Sequence, residues 1–550
     1  MRRALEKIAT PAGWAIVALV TGYWLAYILV APVTTADSHI YNLSRLLIAE
    51  RGGFFGNPLW TNLHQIVFPW SFDAVHLPFL KLGRLENLPS FLCLLGIVLV
   101  GVLLCFRQGT LACAPLVALV LLASPTVAFQ ATTSKNDLAV AFFALAAFYF
   151  LRLYHEAPDR RLWLAGFAMS LGMCAGAKTT GLALAGLLLA TAVVLRARQG
   201  IRPLGELLLA SAAALAVFGS VETYANNAAI FGSWMGKPTF IAAHANPDGL
   251  RGAIANAIRY AFNSLGTGLE SEALTRDYRG WLTDACNRFL GVFGLAGAGL
   301  APMTGGNSRF LLGAHEVASN YGLVGLAALP LAWLALWRER LRAPAGQLAA
   351  LGFAALALVC VTAGWQKFNM RLLLPAAVPI LLSATLFVAP ALQSRAAARL
   401  FLQMLLFLLA AAVPLCSWNR TPKFIRWAWR DRAAVALQER LPLLAEWKGV
   451  RKLARSSHAQ GCAVILGPED WALPYLQDRK VYWTVVPNLE ARPSLTRDDL
   501  LRRLPPGASG EWLLLASQGC AAVALPANAQ LLATFPGAGR VYLWNPGGEN

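Results

Sequence analysis

Residues 13–42 read GWAIVALVTGYWLAYILVAPVTTADSHIYN, a long apolar stretch that ends at a polar segment with Asp37, Ser38 and His39. The apolar part has the length of an α-helix that crosses ~30 Å of hydrocarbon. Basic residues precede it, as in a signal peptide, but the apolar stretch is longer than a typical signal core. We therefore predict a retained membrane helix, with Asp37 where the chain leaves the membrane.

The same pattern recurs along most of the chain. Of its 550 residues, 57% are hydrophobic and 14% are charged, whereas soluble domains carry roughly 25% charged residues. Apolar runs of sufficient length recur, and we predict about eleven membrane spans. They are 13–32, 88–106, 111–129, 137–153, 161–177, 180–196, 204–225, 321–338, 347–364, 372–390 and 400–416. The predicted fold class is an all-α polytopic membrane domain with a small C-terminal α/β domain.

The basic residues give the predicted orientation. Arginine and lysine collect in the short connections on one side, among them Arg107, Arg196 and Arg338. Cytoplasmic loops carry such an excess, so the N-terminus is predicted to be cytoplasmic and the protein to lie in a bacterial inner membrane. The formal charge of +19 does not indicate nucleic acid, because anionic lipid headgroups would neutralise much of it.

Two domains follow from this orientation. We predict a membrane domain at 1–416, with outer loops 33–87 and 226–320, and a periplasmic α/β domain at 417–550. The tail has short apolar runs, CAVILG, KVYWTVV, EWLLLAS, CAAVALP and RVYLWN, separated by polar or Pro/Gly turns. Such runs predict strands, arranged in a mostly parallel sheet.

Two aspartates begin predicted helices at the outer ends of spans. Asp37 opens a helical pattern that ends at Gly52 and Gly53, and Tyr41 shares its face. In SKND, Ser134 and Asp137 have the spacing of a capping box. Helix capping therefore explains both aspartates locally, but carboxylates at a membrane boundary also tend to face a wet cavity or partners.

Basic residues occur on the same predicted face. They are Lys135, Lys178, Lys367 and Arg371. They oppose the usual cytoplasmic bias, and one interpretation is that they extend toward headgroups. The other is that they bind a phosphate group beside a lipid leaflet.

Several motifs resemble one family when taken in order. DSHIYNLSRLLIAERGGFF (37–55) is similar to the first-loop signature of C-type integral-membrane glycosyltransferases, of the protein-mannosyltransferase and aminoarabinose-transferase-like kind (glycosyltransferase family 39-like). SKNDLAVAFFALAAF (134–148) resembles their second aspartate segment, AKTTGLALAGLLLA (177–190) their lysine segment, and NMRLLLPAAVPILLSA (369–384) their arginine segment. The resemblance covers roughly residues 10 to 390 and leaves the tail unmatched.

The resemblance implies an inverting sugar transfer at the outer face, from a polyprenyl-phosphate sugar to a lipid, glycan or protein acceptor. Asp37 would be the catalytic base, and Asp137 would support the acceptor or a metal. Lys178 and Arg371, with Lys367 and Lys135, would bind the donor phosphate, whose negative charge grows as the sugar bond breaks.

The first loop departs from the family pattern. Many members have a second acidic residue directly after the first, whereas Ser38 and His39 follow Asp37 here. His39, His64, His76 and Asp73 are candidate replacements as metal ligands, although a lone histidine is more often only hydrogen-bonded. No cofactor is required by the motifs, and Mg²⁺ or Mn²⁺ is the candidate cation.

Further polar residues are predicted to line an outer cavity. They are Tyr41, His39, Asp73, His76, His315 and Glu316. FPWSFDAVHLPF (68–79) is predicted to form an interfacial helix beside that cavity.

Two other functions stay open from the sequence. A flippase or transporter of lipid-linked sugars would favour charged residues near span centres, which these spans almost lack. An O-antigen polymerase or ligase would favour arginine-rich outer loops, and the 251–309 stretch partly supplies these. Its arginines are Arg251, Arg259, Arg276, Arg279, Arg288 and Arg309.

Overall fold

A computed structural model describes most of the protein. The described residues are 2–30, 37–52, 63–82, 85–266, 272–306, 308–310, 320–394, 459–466, 481–485, 510–517, 525–535 and 539–545, with 405, 408–409, 413, 449 and 452–453. The chain divides into two compact units. The first comprises Met1–Leu29 and Pro69–Lys423, and the second comprises Val30–Phe68 and Phe424–Asn550. The domain boundary after residue 416 stays a prediction.

Helices dominate the described residues. In the first half of the chain they are α1 Arg2–Val30, α2 Leu43–Gly52, α3 Leu63–Val67, α4 Ser71–Leu82, α5 Leu88–Arg107, α6 Ala114–Leu122, α7 Pro125–Ala131, α8 Asp137–Glu156, α9 Arg161–Ala177, α10 Thr179–Ala197, α11 Ile201–Phe218 and α12 Val221–Phe231. In the second half they are α13 Pro238–His244, α14 Gly249–Asn263, α15 Glu272–Val292, α16 Gly322–Glu339, α17 Pro344–Thr362 and α18 Leu374–Ser394. Helices α2 and α3 belong to the second unit and the others to the first.

Seven helices of the described residues are long and apolar enough to cross a membrane. They are Pro11–Leu29, Leu88–Arg107, Asp137–Glu156, Thr179–Ala197, Ile201–Phe218, Pro344–Thr362 and Asn369–Gln393. The pair α6 and α7 makes an eighth candidate if it is one broken span. The chain is therefore a multi-pass membrane protein, whereas the count of about eleven spans stays a prediction. Two of the predicted spans, 161–177 and 321–338, coincide with helices α9 and α16. Most of the predicted span 400–416 lies outside the described residues.

Two predicted spans are interrupted, which corrects their extent. Segment 111–129 divides into α6 and α7, which are bent by 74°. Pro125 lacks an N–H group and holds Ser124 in an extended conformation, at φ −71° and ψ 115°. Segment 204–225 divides because Ser220 adopts a left-handed conformation, at φ 52° and ψ 41°, between α11 and α12.

Helices α8 and α18 lie at the centre of the first unit. Helix α8 packs against α5, α9, α10 and α18, and α18 also packs against α16 and α17. Both central helices are mostly buried. Functional groups at the ends of α8 and α18 are therefore enclosed by other helices.

The second unit contains the first-loop helix and the sheet. Residues Ser38–Asn42 form a π-helical turn that leads into α2, so the helix predicted from Asp37 to Gly52 is confirmed. The strands are β1 Gly461–Leu466, β2 Val481–Val485, β3 Trp512–Ser517, β4 Gln530–Phe535 and β5 Gly539–Trp544.

The sheet has the order β2-β1-β3-β5-β4. Strand β1 pairs in parallel with β2 and β3, whereas β3–β5 and β4–β5 are antiparallel. The sheet is therefore mixed rather than mostly parallel, because β5 runs antiparallel to both of its neighbours, β3 and β4. Strand β4 was not predicted, and most of the predicted run CAAVALP lies outside the described residues.

Candidate active site

Asp137 forms a buried ion pair with Lys178. The Lys178 Nζ donates a hydrogen bond to Asp137 Oδ1 over 2.6 Å, with side-chain exposures of 18% and 4%. Asp137 is the first residue of α8, whose N-cap residue is Asn136, and no side-chain capping bond forms there. The predicted capping box is therefore wrong. The Ser134 hydroxyl is buried, and within the described residues it has no hydrogen-bond partner.

A break between two helices places Lys178. Helix α9 ends at Ala177, Lys178 is extended at φ −163° and ψ 154°, and α10 begins at the next residue. The Asn136 side-chain amide donates to the Ala177 carbonyl over 2.9 Å. This bond ties the start of α8 to the end of α9, so both members of the ion pair are held by adjacent backbone.

Two more cations act on Asp137. Arg371 and Lys135 both interact electrostatically with its carboxylate. Arg371 lies in the 3₁₀ turn Asn369–Leu373 that leads into α18, and Lys135 is buried. Residues from three distant segments thus converge on one carboxylate.

Tyr321 lies beside this cluster. Its side chain is buried and close enough to Asp137 for an electrostatic interaction. The Tyr321 hydroxyl donates to the carbonyl of Met370 over 2.8 Å, which fixes the turn that carries Arg371. Sequence reasoning did not select Tyr321, and its place as the first residue of the predicted span 321–338 was the available signal.

An apolar cavity lies next to the cluster. It has a volume of about 130 Å³ between α14, α16, α17 and α18, and its lining is mainly apolar. Leu329, Leu356 and Ile380 line it together with Tyr321. The Tyr321 side chain therefore belongs both to the cluster around Asp137 and to the apolar cavity.

Helix α4, predicted from 68–79, buries two candidate residues. Asp73 and His76 are each 1% exposed. The His76 Nδ1–H donates to the Glu86 carbonyl over 2.8 Å, and its ring packs edge-on against Phe72. Burial lowers the pKa of His76 to about 4, although the bond to Glu86 acts in the opposite direction. His76 is therefore neutral near pH 7, and α4 holds it in a packed environment.

Asp37 and Tyr41 lie in the second unit. Asp37 is half-buried and makes no side-chain capping bond to the π-helical turn, so the capping interpretation is wrong here too. The Tyr41 ring stacks on His64, with centroids 5.1 Å apart. Arg45 donates to the His64 carbonyl over 2.6 Å. π-Helical turns are rare in proteins, and those that occur are often at functional sites. Asp37 therefore remains a candidate catalytic residue.

The other candidate residues are placed as follows. Lys367 is exposed, with its Nζ 4.9 Å from the ring centroid of Phe368. The side chains of His39, His315 and Glu316 lie outside the described residues. Within the described ranges, no group of three His, Cys, Asp or Glu side chains could hold a metal ion.

Sequence comparison and structure comparison give different results. No family model and no curated protein sequence matches the chain. Two crystal structures of ArnT from Cupriavidus metallidurans are similar in fold, one bound to undecaprenyl phosphate and one in the apo state. Each aligns with a TM-score of 0.52 over 97% of this chain and 98% of that chain, at 13% and 15% identity respectively. The chain therefore has the fold of the C-type integral-membrane glycosyltransferases, and the resemblance in its motifs is confirmed at the level of fold.

Proposed function

We propose that this protein is a glycosyltransferase that takes its sugar from a polyprenyl-phosphate donor. The observation that carries the proposal is the convergence of Lys178, Arg371 and Lys135 on Asp137 beside an apolar cavity. A lipid phosphate has the matching chemistry, because its anion suits clustered cations and its chain suits an apolar groove. A structure of the same fold was obtained with undecaprenyl phosphate bound, which supports this donor class.

The reaction would be an inverting displacement at the anomeric carbon. The acceptor hydroxyl attacks that carbon, its oxygen forms the new glycosidic bond, and the bond to the phosphate oxygen breaks. The electron pair leaves with the polyprenyl phosphate, and the acceptor proton moves to Asp37 as the general base. Lys178 and Arg371 stabilise the charge that grows on the leaving phosphate.

Asp137 has a supporting role in this proposal. Its pairing with Lys178 holds the ammonium group in place, since a buried ion pair fixes the geometry of both side chains. The surroundings of Asp137 do not fit a divalent cation, because Lys178, Arg371 and Lys135 surround it. The proposed reaction therefore uses no metal step.

The location follows from the predicted orientation. The basic connections point to a cytoplasmic N-terminus in a bacterial inner membrane, which would place Asp137 and the outer loops 33–87 and 226–320 on the periplasmic face. A lipid, glycan or protein acceptor would then reach the site from that side.

A transfer assay tests the proposal. The purified protein is incubated with a panel of polyprenyl-phosphate sugars, and the wild type is compared with Asp37→Asn and with Asp159→Asn. Asp159 is exposed and lies in the turn between α8 and α9, so it serves as the matched control.

The two parts of the proposal have separate outcomes. We expect Asp37→Asn to lower the rate by about 10²–10⁴-fold, the usual contribution of a general base, and Asp159→Asn to keep it. Full activity of Asp37→Asn would exclude the base assignment. Turnover of no polyprenyl-phosphate sugar by the folded wild type would count against the function itself.

A further inference from the structure

Helix α14, between α11 and α16, has all of its polar residues except the exposed Arg251 on the inside. Asn256, Arg259 and Asn263 are each at most 1% exposed. The exposed face instead carries Leu250 and Ile254, which are 74% and 47% exposed. A helix at a water-facing surface shows the opposite arrangement, with charged and polar residues outward.

The buried polar face is held by the protein itself. Arg259 donates to the carbonyls of Ala298 and Ala296 over 2.5 and 2.7 Å and to the Asn256 side chain over 3.1 Å. Asn256 in turn donates to the carbonyl of Ala363 over 3.1 Å. These bonds fix which side of α14 faces outward, so the exposure of its apolar face is a stable feature.

The chain just before α14 contacts the end of a membrane helix. Asn246, just before α14, donates to the carbonyls of Cys360 and Val361 near the end of α17. Val361 is itself 48% exposed. The start of α14 therefore lies at the end of α17, a helix long and apolar enough to span a membrane.

The apolar cavity that α14 lines indicates how far α14 lies inside the ends of the membrane helices. Ala257 and Ala261 of α14 line this cavity together with Leu356 and Ile380. Leu356 lies six residues before the end of α17, and Ile380 lies six residues after the start of α18. At 1.5 Å per residue, the cavity reaches about 9 Å inside both helix ends. Interfacial helices bury their apolar faces by a similar depth, about 5–10 Å.

We infer that α14 is an interfacial helix whose Leu250 and Ile254 face contacts the acyl chains of the bilayer. Its 15 residues are too few to cross a membrane, so it lies in one leaflet. The inference concerns where the helix lies and is independent of the reaction that the protein performs.

A fluorescence experiment tests this location. A fluorescent unnatural amino acid is placed at position 254, at position 250 or at position 284 of the full-length protein in lipid nanodiscs. Asp284 is an exposed residue of α15, also between α11 and α16, and is the matched control. Each sample is quenched by lipids with brominated acyl chains and, separately, by aqueous iodide.

The two quenchers distinguish lipid from water. We expect brominated lipids to remove most of the fluorescence at positions 254 and 250, while iodide has little effect there, and the reverse at position 284. Stronger quenching by iodide than by brominated lipids at both 250 and 254 would overturn the inference. Protection of both positions from both quenchers would also overturn it, since protein would then cover the face.

Discussion

At the scale of single residues, the Asp137–Lys178 pair controls the candidate site. An ion pair this buried contributes little net stability, because taking both charges out of water offsets much of their attraction. Loss of one partner is costly, however, since it leaves a charge buried without compensation. The pair is therefore better explained by the position it imposes on Lys178 than by stability.

Removal of Lys178 is predicted to destabilise the protein. We expect Lys178→Met to lower the free energy of unfolding by about 3 kcal/mol, the lower end for breaking a buried pair, because Arg371 and Lys135 still act on the carboxylate. The double variant with Asp137→Asn should lose less than the sum of the two single losses. Denaturant unfolding in detergent measures all three; strictly additive losses would show that the residues are not coupled.

His76 is predicted to make stability depend on pH. Its pKa is about 4 in the folded protein and 6.5 without perturbation, so the unfolded state binds the proton first. The contribution of neutral His76 to the free energy of unfolding is fully present above pH 6.5 and declines as the pH falls toward 4. Between pH 7 and pH 5 the loss should be about 2 kcal/mol.

The variant His76→Asn provides the control for this prediction. It removes the titrating ring and keeps a side-chain donor near Nδ1, so its stability should fall less between pH 7 and pH 5. Thermal unfolding midpoints of both proteins at the two pH values give the comparison. Equal shifts in the two proteins would mean that His76 does not titrate on unfolding.

At the scale of elements, the junction before Lys178 depends on close backbone contact. The Ser220 hydroxyl accepts hydrogen bonds from the backbone N–H groups of Trp70 and Ser71 over 3.1 Å. It also lies 3.4 Å from the Gly176 carbonyl. These contacts hold α4 and the break between α11 and α12 against the end of α9 at Gly176, which is two residues before Lys178.

Gly176 is predicted to tolerate no side chain. A Cβ atom there would overlap the Phe218 carbonyl oxygen and the Ser71 side chain. We expect Gly176→Ala to cost about 1–3 kcal/mol, as overpacking does. Gly186 in α10 has no atom within 4 Å of such a Cβ, so Gly186→Ala should be neutral or stabilising by up to about 1 kcal/mol. Unfolding of both variants provides the test, and equal stability would remove the close contact from the account.

The sequence predicted some elements better than others. The ends of spans at Asp137, Lys178 and Arg371 were predictable because long apolar runs define the membrane helices. Successive spans cross the membrane in opposite directions, which places these three residues on one side of it. The break at Pro125 was not predictable, because it lies within a run that stays apolar, and the break at Ser220 was not, because the predicted span was extended through the polar residues Ser220, Glu222 and Thr223. Strand β4 was missed because most of its residues are exposed, which leaves no clear alternation.

At the scale of the whole molecule, composition predicted the class of the fold, a helical membrane domain with a small C-terminal sheet. A chain with 57% hydrophobic residues can satisfy its backbone in a bilayer only as helices or a closed barrel, and the lengths of the apolar runs favour helices. Tertiary detail needed the structure: the apolar cavity and Tyr321 arise from helices distant in sequence. Spacing alone does not reveal which of their faces meet.

The central claim is that the cations around Asp137 bind the phosphate of a polyprenyl donor. Equilibrium binding of a fluorescent polyprenyl phosphate to the protein in detergent tests this claim without requiring catalysis. Arg371→Gln removes a cation of the site. Arg288→Gln removes an exposed arginine of α15, which a polymerase or ligase with arginine-rich outer loops would use instead.

We predict that Arg371→Gln weakens binding by at least about tenfold, because a hydrogen bond to a charged group contributes about 1.5–3 kcal/mol, and that Arg288→Gln leaves binding unchanged. Equal affinity in all three proteins, or a loss only in Arg288→Gln, would contradict the account.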